Sequence, residues 1–132
     1  MRTKQTLTSA DVKKMLAACE AKAAANKWPV AIAIVDDGGF LLGFARMDGA
    51  AAITAEVSVG KARASAMTKR PSKFFEDRIK ERPAFLNFPA GILLQGGVPI
   101  MYQNECVGAI GVSGVQSHED EEVAQAGASE IG

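Results

Sequence analysis

The sequence is poor in the residues from which many catalytic and metal sites are built. It contains one histidine, His118, and two cysteines, Cys19 and Cys106, which do not form a CxxC pair. The usual zinc sites need several His or Cys ligands, and a Ser-His-Asp triad needs a histidine that reaches its serine. His118 lies in the acidic run SHEDEE, which is typical of an exposed residue in the first turn of a helix. We therefore predict no metal site, and buried, reduced thiols rather than a disulfide or a nucleophile.

The sequence also lacks excess charge and long apolar runs. Lys+Arg and Asp+Glu both number 15, so the chain has no net positive charge with which to neutralise nucleic-acid phosphates. One Trp and one Tyr do not make a stacking platform for single strands. No apolar run approaches the roughly 18 residues of a membrane span, and the N-terminus lacks the apolar core of a signal peptide. These features predict a cytoplasmic protein that binds neither nucleic acid nor membrane, although a mature form trimmed after secretion would share them.

The residues that are present predict one α+β domain over residues 1–132. Apolar residues at helical spacing follow Thr8, which suits an N-cap, and predict a first helix over residues 9–25. The turn sequence DDGG joins two apolar runs and predicts a hairpin of strands over residues 30–35 and 40–46. Further helices are predicted over 50–68, 73–80 and from Ser117 onward, and further strands over 92–94, 98–102 and 106–112. The order α-β-β-α-α-β-β-β-α predicts a mainly antiparallel, five-stranded sheet with helices packed on it.

One late stretch, GGVPIMYQNECVGAIGVSG at residues 96–114, is unusually rich in glycine. Its GxxGxxG spacing (Gly108, Gly111, Gly114) matches neither a P-loop nor a dinucleotide-binding turn. Glycine inside a strand marks a place where something approaches the backbone closely, such as a packed helix, a second subunit or a ligand. Ser113 lies in GVSG, which lacks the GxSxG elbow of a serine nucleophile.

Two other sets of residues are candidates for a site. Arg46, Asp48, Glu56 and Lys61 lie at the end of a strand and along the helix that follows. They could form a salt-bridge network at the sheet edge, or they could supply an acid, a base and an anion clamp. The segment 82–91 carries two prolines and bulky apolar side chains, which favours an ordered loop that lines something over a linker.

Several segments in this order resemble the GlcG/HbpS family, which includes the C-terminal domain of PduO-type proteins. They are VAIAIVDDGGFLLGFARMDGA, then GKA at residues 60–62, then GGVPI, then VGAIGVSG, followed by the acidic HEDEE. The resemblance covers about residues 7–126 and implies a profilin-like domain that forms homo-oligomers. It also implies that some members bind haem or related tetrapyrroles, whereas others are encoded among genes for glycolate, diol or aromatic catabolism.

One residue departs from the pattern of this family. Many relatives carry a histidine after the double glycine of the hairpin turn, and this chain has Phe40 there. Haem iron is held by His, Cys, Met or Tyr, so phenylalanine cannot ligate it. This departure weakens the expectation that this member binds haem. A loose, hydrophobic contact with haem is not excluded by it.

Three functions are consistent with these observations. The first is a non-catalytic protein of catabolism or of redox and haem handling, which binds haem or another planar apolar ligand in a pocket or subunit interface. Its predicted binding residues are Arg46, Lys61, Phe85, Phe88, Pro89, Gly96, Gly97, Val98, Ser113 and Gly114. The alternative is a small isomerase or hydratase for a carboxylated catabolic intermediate, in which Arg46 or Lys61 holds the carboxylate and Asp48 or Glu56 moves a proton. The third is a domain that mainly assembles with itself or with a partner enzyme.

Overall fold

The structure is a computed structural model that describes residues 1–131. Its elements in chain order are α1 (Ser9–Ala25), β1 (Ala31–Asp36), β2 (Leu41–Arg46), α2 (Ile53–Thr68), α3 (Ser72–Ile79), a short 3-10 helix (Pro83–Asn87), β3 (Gly97–Tyr102), β4 (Glu105–Ser113) and α4 (Ser117–Ala128). The strands form one antiparallel sheet in the order β2-β1-β4-β3. The predicted α+β class is therefore confirmed. None of the helices within residues 1–131 has the length and apolar character needed to cross a membrane.

The first face of the sheet packs against α1 and α4 through large apolar side chains. Ile32 and Ile34 of β1 and Ile110 of β4 point to this side, where they meet Met15 of α1 and Val123 of α4. Alternate residues of a strand point to opposite faces, so the residues between the isoleucines of β1 must be buried on the other side. Residues 31–35 are all fully buried, which shows that both faces of β1 are covered.

The second face of the sheet is built from small residues and is covered by α2. Ala33 and Ala109 pack there against Ala62 and Ala66 of the helix. A Cβ atom at Gly111 would overlap the carbonyl oxygen of Ser58, and the helix backbone is equally close to Gly97. Of the three glycines at GxxGxxG spacing, the helix-packing interpretation is thus confirmed for Gly111, whereas Gly108 and Gly114 lie against the backbone of Val35 and of residues 29–30.

The predicted strand over residues 92–94 was wrong, and the sheet has four strands instead of five. Gly91 (φ 91°) and Gly96 (φ 134°) turn the chain at either end of this segment. The amide of Ile92 donates a hydrogen bond of 3.0 Å to the carbonyl of Gly60, and its side chain fills the space above that glycine. The apolar run therefore covers α2, and it does not pair with a strand.

The two thiols differ in their surroundings. Cys19 is fully buried between α1 and α4, as predicted, whereas Cys106 is only half-buried, and both are free. Burial raises the pKa of the Cys19 thiol to about 12 and also raises the pKa of Cys106. A protonated thiol is a poor nucleophile, so neither cysteine is activated for covalent chemistry.

Candidate functional site

An apolar groove of about 500 Å³ lies between β2 and the flank of α2. Its lining residues are Leu41, Phe44, Ala55, Glu56, Val59, Gly60, Arg63 and Gly91. Leu41 and Phe44 are 54% and 36% exposed, although both are large and apolar. A contiguous exposed apolar surface of this kind marks a place where a ligand or a partner binds.

The groove exists because α2 does not cover the whole sheet. The glycines that permit close approach of the helix, Gly97 and Gly111, lie on β3 and β4, so α2 sits towards that side. Phe44 of β2 is paired with Ala33, which faces α2, and therefore points to the same face. The apolar side chains of this outer strand are left beside the helix instead of beneath it.

Two charged side chains accompany the apolar floor of the groove. Glu56 and Arg63 are seven residues apart on α2, which separates them by about 10 Å along the helix axis. The Arg63 side chain runs past the hairpin turn, where its Nε lies 3.6 Å from the position that a Cβ atom would have on Gly39. Within residues 1–131 neither side chain forms an ion pair at 4.0 Å or less. Both charges are therefore available to a ligand.

A second polar cluster is buried and holds three elements together. The Lys61 ammonium donates to Asp120 Oδ2 at 3.0 Å and to the Val112 carbonyl at 2.9 Å. Asp120 Oδ1 accepts a hydrogen bond of 3.1 Å from the Val115 amide. Burial raises the pKa of the Asp120 carboxyl, and the Lys61 ammonium beside it acts in the opposite direction. The cluster ties α2 to the end of β4 and to the first turn of α4.

A model of the family described as "Haem degrading protein HbpS-like" matches residues 7–129. The chain belongs to this HbpS-like family. Protein GlcG of Escherichia coli strain K12 is 40% identical over 114 residues, which are 86% of this chain and 85% of GlcG. The crystal structure of HbpS superposes with a TM-score of 0.93 at 29% identity, covering 100% of this chain and 94% of HbpS. A PduOC–haem complex, at 21% identity and a TM-score of 0.88 over 96% of each chain, shows the same fold.

In this HbpS-like chain, several of the predicted binding residues lie around Lys61, in the interior. A Cβ atom at Gly96 would lie 2.7 Å from the Lys61 ammonium, and Gly97 packs against the backbone of Lys61. Lys61 itself is 2% exposed, and Val98 and Ser113 are also buried. Contact between a ligand carboxylate and Lys61 stays a prediction, and it would require the ion pair with Asp120 to open.

The remaining predicted residues of the HbpS-like chain lie elsewhere. Phe85, Phe88 and Pro89 line a separate hollow of about 290 Å³, in which Phe85 and Phe88 pack on Phe75 with ring centroids 5.9 and 5.2 Å apart. Among the predicted catalytic residues Arg46, Asp48, Glu56 and Lys61, only Glu56 lines the groove, and Lys61 alone is buried. Their use as acid, base and carboxylate clamp stays a prediction.

The sequence interpretation missed the residues that dominate the groove. Leu41, Phe44, Val59 and Arg63 were not among the predicted binding residues. One available signal was FLLGF at residues 40–44, where apolar residues occupy consecutive positions of a strand instead of alternating ones. Such a strand is either buried on both faces or carries exposed apolar side chains, and an exposed strand would have indicated a binding surface.

Proposed function

We propose that this HbpS-like protein binds a planar, apolar, carboxylated small molecule of the tetrapyrrole type in the groove between β2 and α2. The observation that carries the proposal is the apolar floor formed by the exposed Leu41 and Phe44 and the half-buried Val59, with the Arg63 guanidinium beside it. A volume of about 500 Å³ lies within the usual range of small-molecule sites. The family description names haem degradation, and a protein of the same fold is known as a haem complex, which supports a tetrapyrrole over other planar ligands.

The groove fits the organic part of haem better than its iron. A porphyrin ring is flat and apolar and can lie against Phe44 and Val59, while Arg63 can donate two hydrogen bonds to a propionate. The lining residues are Leu, Phe, Ala, Glu, Val, Gly and Arg, and His, Cys, Met and Tyr, the usual protein ligands of haem iron, are not among them. Phe40, at the adjacent turn, is 72% exposed and cannot ligate iron either. Recognition would therefore depend on the ring and its carboxylates.

Titrations with haemin and with metal-free protoporphyrin IX test this proposal. Both are expected to saturate at one ligand per groove with similar affinity, followed by porphyrin absorbance and fluorescence. Phe44→Ala is expected to lower the affinity for both ligands about tenfold, because it removes an aromatic contact with the porphyrin ring. Phe88→Ala is a matched control, since Phe88 is 38% exposed and lines the other hollow. Unsaturable binding, or an equal loss in the two variants, would contradict the proposal.

We also propose that the protein is a homo-oligomer. Phe40 and Leu42 are exposed apolar residues next to the groove but do not line it, and β2 is an outer strand with one unpaired edge. A second copy could bury these side chains. Light scattering is expected to give a mass that is a multiple of the 13.8 kDa chain, and a mass of one chain at micromolar concentration would contradict this expectation.

A further inference from the structure

The groove carries opposite charges at its two ends. Arg63 lies at the end next to the hairpin turn, because its side chain runs past Gly39. Glu56 lies in the first turn of α2, two helical turns away. Val59 and Gly60 occupy the floor between them. A ligand that lies along α2 therefore meets a cation at one end and an anion at the other.

Glu56 changes what the beginning of this helix can bind. The N-terminus of a helix attracts anions, because unpaired backbone amides and the helix dipole point at them. In this chain the first turn of α2 already carries a carboxylate, which is stabilised there by the same dipole. A second carboxylate from a ligand would be repelled by Glu56, whereas at the other end of the groove Arg63 would attract it.

We infer that the groove selects ligands whose carboxylates lie on one edge only, and that Glu56 and Arg63 set both this selectivity and the orientation of the ligand. The inference rests on the proposed function and names the ligand class of that same groove. Haemin and protoporphyrin IX belong to the class, because their two propionates share one edge of the ring. Coproporphyrin carries carboxylates around the whole ring, so one of them must face Glu56 in any orientation.

Titrations with porphyrins that differ in the arrangement of their carboxylates test the inference. Wild-type protein is expected to bind protoporphyrin IX at least tenfold more tightly than coproporphyrin, measured by fluorescence titration at low salt. Glu56→Gln is expected to raise the affinity for coproporphyrin about tenfold relative to the affinity for protoporphyrin IX, because the repulsion of the second carboxylate is lost. Arg63→Gln is expected to lower the affinity for protoporphyrin IX about tenfold. Both side chains are exposed, so the variants should fold, which circular dichroism verifies.

Two control variants separate local charge from net charge. Glu122→Gln and Lys13→Gln make the same changes of charge on exposed positions of α4 and α1, which cover the opposite face of the sheet. They are expected to leave the ratio of the two affinities unchanged. If Glu56→Gln also leaves this ratio unchanged while both porphyrins bind, the inference is overturned and the proposed function survives. If no porphyrin binds the wild-type protein, the proposed function fails and the inference fails with it.

Discussion

Lys61→Met is expected to destabilise the protein by about 4 kcal/mol, because it leaves the Asp120 carboxylate buried without its cation. The Val112 carbonyl also loses its ammonium donor, while methionine keeps most of the apolar volume of the lysine stem. Urea unfolding followed by circular dichroism measures the loss. A loss below about 1 kcal/mol would show that the buried pair is not needed to hold α2, β4 and α4 together.

The double variant Lys61→Met/Asp120→Asn is the informative control. Asparagine keeps an oxygen that can accept from the Val115 amide, and no uncompensated charge remains in the interior. We therefore expect the double variant to recover a large part of the stability that Lys61→Met loses. If the free energy of unfolding lost by the double variant equals the sum of the losses in Lys61→Met and Asp120→Asn, the two charges are not coupled.

The stability that Lys61→Met loses relative to wild type should also depend on pH. Without the ammonium, the pKa of Asp120 in the folded protein rises further above its ordinary value, because only the backbone hydrogen bonds to the carboxylate then oppose the effect of burial. A raised folded pKa stabilises the fold at low pH, and this stabilisation is lost as the pH rises through that pKa. The deficit relative to wild type is therefore expected to be larger at neutral pH than below about pH 4.

Gly111→Ala is expected to cost about 3 kcal/mol through overpacking between the sheet and α2. The added Cβ would overlap the Ser58 carbonyl and the Ala62 amide, which are backbone atoms of a helix and cannot move without lifting it from the sheet. Gly38→Ala, in the hairpin turn, is the matched control. Its Cβ would meet no atom closer than 3.4 Å at an ordinary φ, so we expect a change below about 1 kcal/mol. Equal unfolding midpoints for the two variants would contradict this account of Gly111.

Much of the local structure could be predicted because its signals are short-range. The first helix begins after Thr8 because that side chain accepts from the Asp11 amide while Asp11 accepts from the Thr8 amide, as the capping pattern predicts. The DDGG turn forms the expected hairpin, in which the Asp36 carboxylate accepts hydrogen bonds from the amides of Gly38 and Phe40. The family resemblance, carried by a specific set of motifs, also proved correct.

The sites could not be predicted in the same way, because they depend on long-range placement. Lys61 and Asp120 are 59 residues apart, and nothing in the local sequence separates Asp120 from its acidic neighbours in HEDEE. The groove arises from the lateral position of α2 over the sheet, which is fixed where Gly97 and Gly111 admit the helix. Residues 92–94 were misjudged for a similar reason, since a three-residue apolar run fits a strand as well as a segment covering a helix.

The strand order has a consequence for folding during synthesis on the ribosome. β1 lies in the centre of the sheet, and its partner on one side is β4, the last strand to be synthesised, so that Ala31 pairs with Ser113. Until β4 leaves the exit tunnel, the most apolar segment of the chain has only β2 beside it, and a two-stranded hairpin is marginally stable by itself. Pairing over so long a separation is slow and leaves apolar surface exposed in the meantime. The nascent chain is therefore exposed to aggregation from the time β1 emerges until β4 can pair with it.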